Sequence, residues 1–211
     1  MGRRILIVDD EPRVRTSLQR MLLGTLPDAE VVQAGCGREA LEQAAETAPE
    51  LIVLDVLLPD MNGLEVCREL QARHDSPRVP ILMISGILTD VNSRVEALKV
   101  GADGYLCKPF ELIEFMASVT SLLRIRDYEV KLQREGEARY RKLFELVDDA
   151  VMLFDAQTLQ FVDVNPAAER MYGYSRNEFL MLRHPDITAQ PSASLKSIDQ
   201  TSDMESFSIP L

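Results

Sequence analysis

The sequence predicts an α/β chain: a doubly wound five-stranded parallel sheet, a helical linker, and then a small α+β segment. Three observations lead there. Over the first 110 residues, five short apolar runs alternate with amphipathic stretches. From residue 113 to about 144 there is no proline and no strand-like run, and Gly136 is the one glycine. Beyond that, two strand-like runs are followed by short helical pieces.

The five runs are residues 4–8 (RILIV), 29–34 (AEVVQA), 51–55 (LIVLD), 80–85 (PILMIS) and 104–108 (GYLCK). They are rich in Ile, Leu and Val and apolar on both faces, the pattern of buried parallel strands. Helical spacing occupies residues 14–23, 38–47, 63–72 and 91–100, and a fifth helix begins near Glu111 and runs past Leu123. Regular alternation of this kind implies helices on both faces of one open sheet, with ligands at the carboxyl ends of the strands. In residues 124–145, Ile125, Tyr128 and Leu132 keep 3–4 spacing, but Glu135 and Arg139 interrupt the stripe. A solvated connector and a short coiled-coil seam between two copies both fit that pattern.

Composition excludes several classes. The chain has 211 residues, 46% hydrophobic and 27% charged, which is ordinary globular usage rather than disorder. No apolar run is long enough to span a membrane, and the apolar stretch 5–8 is too short for a signal peptide. Cys36, Cys67 and Cys107 are far apart and form no CxxC pair, so a zinc site is not expected and a reduced cytoplasmic setting is. The net charge of −11 divides into −7 over residues 1–123, +2 over 124–145 and −6 over 146–211. Two acidic blocks joined by a mildly basic segment suggest two domains and a linker. An acidic surface argues against direct nucleic-acid binding, which draws on basic patches.

The chemistry lies at the strand ends. Asp9 and Asp10 follow the first run, Asp55 ends the third, Ser85 the fourth and Lys108 the fifth. In a parallel sheet these ends share one edge, so three carboxylates, a hydroxyl and an ammonium converge. Gathered carboxylates are costly without compensation. A hard divalent ion with oxygen ligands, Mg²⁺, suits them. Mg²⁺ beside a carboxylate, a lysine and a hydroxyl is suited to holding a phosphoryl group.

The segments ILIVDDEP, LIVLDVLLPDMNGLEVC, ILMISG and GADGYLCKPF, in that order, resemble the receiver domain of two-component response regulators, a flavodoxin-like fold, over residues 1–123. The resemblance implies that Asp55 accepts a phosphoryl group from a sensor histidine kinase or phosphotransfer protein. It implies that Asp9, Asp10, Asp55 and the backbone carbonyl of Leu57 hold Mg²⁺, that Ser85 and Lys108 contact the phosphoryl oxygens, and that Tyr105 swings inward. It also implies a cis bond before Pro109. Two positions depart in a telling way: Leu57 and Ile87, two residues beyond Asp55 and Ser85, are apolar and unable to orient an attacking water. A long-lived phosphoryl group is the expectation.

Residues 146–211 resemble the beginning of a PAS sensory domain, carried by NPAAERMYGYS with Asn165, Pro166, Gly173, Tyr174 and Ser175. Gly173 suits a helix end, and Ser175 with Glu178 reads as a capping box. The ligand of such a module is unknown from sequence. Met152, Phe154, Phe161, Met171 and Met181 read as core, and His184 as a surface residue of a polar turn. Residues 207–211 read as the opening of a third strand, so the PAS unit is expected to stop short of its closing strands.

The expected function is phosphorelay signalling by a phosphoprotein, not an enzyme in the usual sense, with a possible homodimer through the fifth helix, linker or PAS segment and no membrane contact. An alternative is the front end of a larger hybrid sensor kinase or cyclase, although no phosphoacceptor-histidine helix or glycine-rich nucleotide site is visible. An aspartyl phosphatase is disfavoured because Leu57 stands where such enzymes carry a second acid.

Overall fold

A computed structural model describes residues 2–72, 78–86 and 91–188, with the side chains of 91–94 excepted. The chain divides into two compact units, Met1–Arg134 and Glu135–Leu211.

In the first unit the elements follow in strict alternation: β1 (Arg4–Val8), α1 (Pro12–Thr25), β2 (Glu30–Ala34), α2 (Gly37–Thr47), β3 (Leu51–Asp55), α3 (Gly63–Ala72), β4 (Ile81–Ser85), α4 (Val91–Lys99), β5 (Gly104–Cys107) and α5 (Leu112–Leu146). The sheet order is β2-β1-β3-β4-β5, and every neighbouring pair is parallel. The order reverses after β1, so the carboxyl ends of β1 and β3 stand side by side at the switch point, where doubly wound sheets place their ligands.

Two apolar layers sandwich the sheet. Ile5, Ile7, Leu51, Val53, Leu82 and Ile84 pack with Leu18 and Leu22 of α1 and Phe115, Val119 and Leu122 of α5. Leu6, Val8, Ile52, Leu54 and Met83 pack with Ala40 of α2 and Val66 and Cys67 of α3. Alternate residues of each strand face opposite layers, which is why the inner strands are apolar on both faces between their ends. The edge strands differ from the expectation of two buried faces: β2 and β5 are largely half-buried, because each has a neighbour on one side alone. Cys107 accordingly is half-buried while Cys67 is buried, and none of the three cysteines forms a disulfide.

The 35-residue α5 continues without a break through residues 124–145. Its first turns carry the buried Phe115, Met116, Val119, Leu122 and Leu123, whereas Ile125, Tyr128 and Leu132 are more than half exposed. No helix among the described residues is long and apolar enough to cross a membrane.

The second unit holds an antiparallel hairpin, β6 (Met152–Phe154) and β7 (Phe161–Val164), followed by α6 (Pro166–Tyr172), α7 (Arg176–Phe179) and α8 (His184–Thr188). Asp155 shapes the hairpin turn by accepting from the amides of Gln157 and Thr158. Phe179 is the centre of a small core, with Phe161, Tyr172 and Tyr174 set edge-on around it. Asn165 is fully buried; its side chain caps α6 through the Ala168 amide and also bonds Val151, Val147 and Asp149. Ser175 and Glu178 form a reciprocal capping box, and Gly173 ends α6 in the left-handed region. His184 departs from the expected surface turn: it is half-buried, with its ring 5.1 Å from that of Phe154. Phe154, Met171 and Met181 are exposed rather than core. The strand expected at 207–211 lies outside the described residues, as does Ile87.

Candidate functional site: an acidic cluster bridged by a lysine

The parallel register delivers the site. Val8 pairs with Leu54, and Asp55 with Ile84, so the residues just past β1, β3 and β4 come out at one edge. Asp9 and Asp55 are almost wholly buried there, and Asp10 is exposed. One carboxylate oxygen from each of the three lies within 4.8 Å of the others.

Lys108 crosses from the end of β5 to meet them. Its Nζ donates to Asp9 Oδ2 and to Asp55 Oδ2, both at 2.7 Å. The Lys108–Pro109 bond is cis, and the Lys108 amide donates to the carbonyl of Ser85 at 2.7 Å. Ser85 is fully buried at the end of β4, one residue past the partner of Asp55. Tyr105 is half-buried on β5 opposite Met83. The Leu57 amide points back to Asp55 Oδ1 at 3.4 Å, while the residue as a whole is 47% exposed.

The electrostatics follow from burial. Desolvation pushes the Asp55 carboxyl above the ordinary range; Lys108 pulls it back, and the neighbouring Asp9 adds to the rise. Burial works against the charge on Lys108, but its hydrogen bonds to Asp55 and Asp9 outweigh that and hold the ammonium above its usual value. Three carboxylates face one ammonium, so the cluster keeps an excess of negative charge.

Its donors are all oxygen, and they lie close enough to share one small ion. Lys108 engages a single oxygen of each of Asp9 and Asp55. That donor set fits a hard divalent cation and does not suit a soft one.

Two residues that sequence reading passed over shape the site from behind. Arg15, in the first turn of α1, donates from Nη1 to the carbonyls of Asp9 at 2.6 Å and Asp10 at 3.2 Å. The signal was available: helical side chains lean toward the N-terminus, so an arginine there reaches back over the preceding loop. Asp60 bonds the start of α2, a contact across more than twenty residues that no local pattern announces. Asn165, Pro166, Gly173 and Tyr174 lie in the second unit.

Residues 5–120 match the family pattern of the response regulator receiver domain. The chain belongs to that family. Residues 138–204 match a PAS domain, so the receiver is followed by a PAS module. The chain is 39% identical over 184 residues to the response regulator MprA of Mycobacterium ulcerans, covering 86% of this chain and 71% of that protein. It is 46% identical to MprA of Mycolicibacterium vanbaalenii over 121 residues, 57% of this chain and 50% of that one, so it spans half the length of that relative. Among solved structures, a CheY-like response regulator receiver domain protein from Methanospirillum hungatei JF-1 superposes with a TM-score of 0.56 at 27% identity, over 61% of this chain and 99% of that one. Receiver domains act in two-component signalling, with histidine kinases or phosphotransfer proteins as partners, and generally bind Mg²⁺.

Proposed function

We propose that the receiver is a Mg²⁺-dependent phosphoacceptor that takes a phosphoryl group onto Asp55 from a sensor histidine kinase or phosphotransfer protein and signals through α5 to the PAS module. The observation that carries this reading is the buried Asp55 carboxylate, held with Asp9 by one ammonium at the switch point of the sheet.

A carboxylate oxygen of Asp55 attacks phosphorus, an O–P bond forms, and the N–P bond of the donor phosphohistidine breaks. The electron pair stays on the departing imidazole nitrogen, which takes up a proton. The product is an acyl phosphate. Asp9, Asp10, Asp55 and the Leu57 carbonyl would hold the metal, which when bound offsets charge on the transferring group. Lys108 is placed to exchange its bond to Asp55 for one to a phosphoryl oxygen, and Ser85 to donate to another. Phosphorylation adds about −1.5 to −2 charge at this edge. Pulling Ser85 and Lys108 toward it moves β4 and β5, and α5 follows β5 directly. The chain acts as signalling protein rather than as an enzyme with a separate output, in the cytoplasm. The ligand of the PAS module is left unassigned.

Incubation with Mg²⁺ and acetyl phosphate or phosphoramidate tests the reading. One added phosphoryl mass is expected in the wild type and none in Asp55→Ala. An unlabelled wild type, or a labelled Asp55→Ala, overturns it.

A further inference from the structure

The segment that follows Asp55 is tied down at both its base and its tip. At the base, Gly63 N donates to Val56 O at 2.8 Å, and Leu57 bridges to Asn62. A Cβ at Gly63 would lie 2.1 Å from the carbonyl oxygen of Asp55, so the chain returns directly against the acceptor's backbone. At the tip, Asp60 reaches a different helix. Its Oδ1 accepts from Gly37 N at 2.8 Å and its Oδ2 from Arg38 N at 2.9 Å.

The start of α2 is built to receive this. Its own N-cap, Cys36, supplies no side-chain cap bond to the helix amides. The amides of Gly37 and Arg38 take a carboxylate from elsewhere in the chain instead, at the end of the helix that favours negative charge. Those amides hold the Asp60 carboxyl below the ordinary range, Arg38 foremost and Gly37 next. Gly37 makes the approach possible: a Cβ there would lie 2.4 Å from Met61 Cγ and 2.8 Å from Val66 Cγ2. The hydrogen bonds and the missing side chain are independent features, and both press residues 60–61 onto one helical turn.

We propose that the first turn of α2 is a seat for the loop after the phosphoacceptor, and that Asp60 is a positioning residue, with Gly37 as its complement, setting the Leu57 carbonyl relative to Asp55. This rests on the phosphoacceptor reading above. Asp60 lies three residues from Leu57 and bonds the amides of Gly37 and Arg38 rather than joining the cluster of Asp9, Asp10 and Asp55. It acts by limiting where the Leu57 carbonyl points. Removing it leaves every site side chain in place but lets the loop wander, which lowers metal affinity rather than the rate once metal is bound.

The test compares wild type with Asp60→Ala, Asp60→Asn and Gly37→Ala. Three quantities are measured on the unphosphorylated and phosphorylating protein: Mg²⁺ affinity by calorimetry, thermal unfolding without metal, and the phosphoramidate labelling rate against Mg²⁺ concentration. Asp60→Ala and Gly37→Ala are each expected to weaken Mg²⁺ binding about tenfold, the lower end for groups that hold metal ligands from behind. Asp60→Asn, which keeps one accepting oxygen, is expected to fall between. At saturating Mg²⁺ the labelling rate should return to within about twofold of wild type, a split that general loss of structure does not produce. If Asp60→Ala fails to fold, Asp60→Asn carries the comparison. A folded variant that binds Mg²⁺ as tightly as wild type overturns the seat while leaving the phosphoacceptor reading intact. A wild type that binds Mg²⁺ but takes no label overturns the phosphoacceptor reading instead.

Discussion

Arg3 and Asp127, 124 positions apart, meet as a two-pronged pair: Nη1 to Oδ1 at 2.7 Å and Nη2 to Oδ2 at 2.6 Å. Arg3 Nη1 also reaches Glu50 at 2.7 Å, and Arg126 Nη1 donates to the Pro49 carbonyl at 2.8 Å. These contacts fasten α5 to the amino-terminal edge of the sheet, just where the helix leaves the receiver core. The bond from Arg3 holds the Asp127 carboxyl below its ordinary range. A depressed carboxylate stabilises the fold above its unfolded pKa, and that contribution is lost as pH falls through the folded value. Asp127→Asn should therefore flatten the acid side of the stability profile. At neutral pH the pair is half exposed, and its removal should cost less than about 1 kcal/mol. Urea unfolding at a series of pH values checks both.

Among the described residues, Lys108 is the cation paired with the Asp9 and Asp55 carboxylates. Lys108→Ala leaves two buried carboxylates side by side, and is expected to lower stability by about 3 kcal/mol without metal, the low end for a broken buried pair because Lys108 is partly exposed. Added Mg²⁺ should recover more stability in the variant than in the wild type, because the ion then offsets a larger uncompensated charge. Melting curves with and without Mg²⁺ measure this, and an equal shift in both proteins would contradict the assignment of these acids to one cation site.

Leu57, two residues past Asp55, is about half exposed and its apolar side chain offers no hydrogen bond to water. The phosphorylated protein should hold its label for minutes or longer. Leu57→Asn, which supplies a donor and an acceptor at that point, should shorten the lifetime several-fold. Following the phosphoryl mass after removal of the donor decides it; loss of label from the wild type within seconds would contradict the expectation.

Asn165 satisfies four backbone groups at once in the second unit. Asn165→Ala strands two amides and two carbonyls, and is expected to destabilise the PAS segment by roughly 2–4 kcal/mol. The receiver should be unaffected, so hydrogen exchange should rise in residues 147–168 and leave β1 and β3 protected.

Much of the fold was legible because local pattern and tertiary role coincide. The inner strands β1, β3 and β4 are buried on both faces, so their sequences are apolar except at Arg4, Asp55 and Ser85 at their ends. The edge strands β2 and β5 share the apolar pattern of buried strands yet are largely half-buried, because an apolar run does not reveal how many neighbours it has. His184 was read as surface because its neighbours in sequence are polar, whereas its neighbours in space are Phe154 and Phe161. The acid cluster could be listed from strand ends alone. Arg15 and Asp60 were passed over for a common reason: each acts on backbone groups, and nothing in the composition of those groups marks them.

The sequence by itself determined the order of strands and helices along the chain and which acids, hydroxyl and lysine stand at strand ends, since these depend on periodicity and chain order; the family was legible through the resemblance of its motifs. Only the tertiary structure decided which of them touch. The 2.7 Å contacts of Lys108, the Arg15 clamp on the Asp9 and Asp10 carbonyls, and the seating of Asp60 on α2 all join residues from different elements. Hydrogen bonds form and break within a few tenths of an ångström. Such distances are set by how the sheet twists and the helices pack, and packing is a property of the whole fold rather than of any one segment.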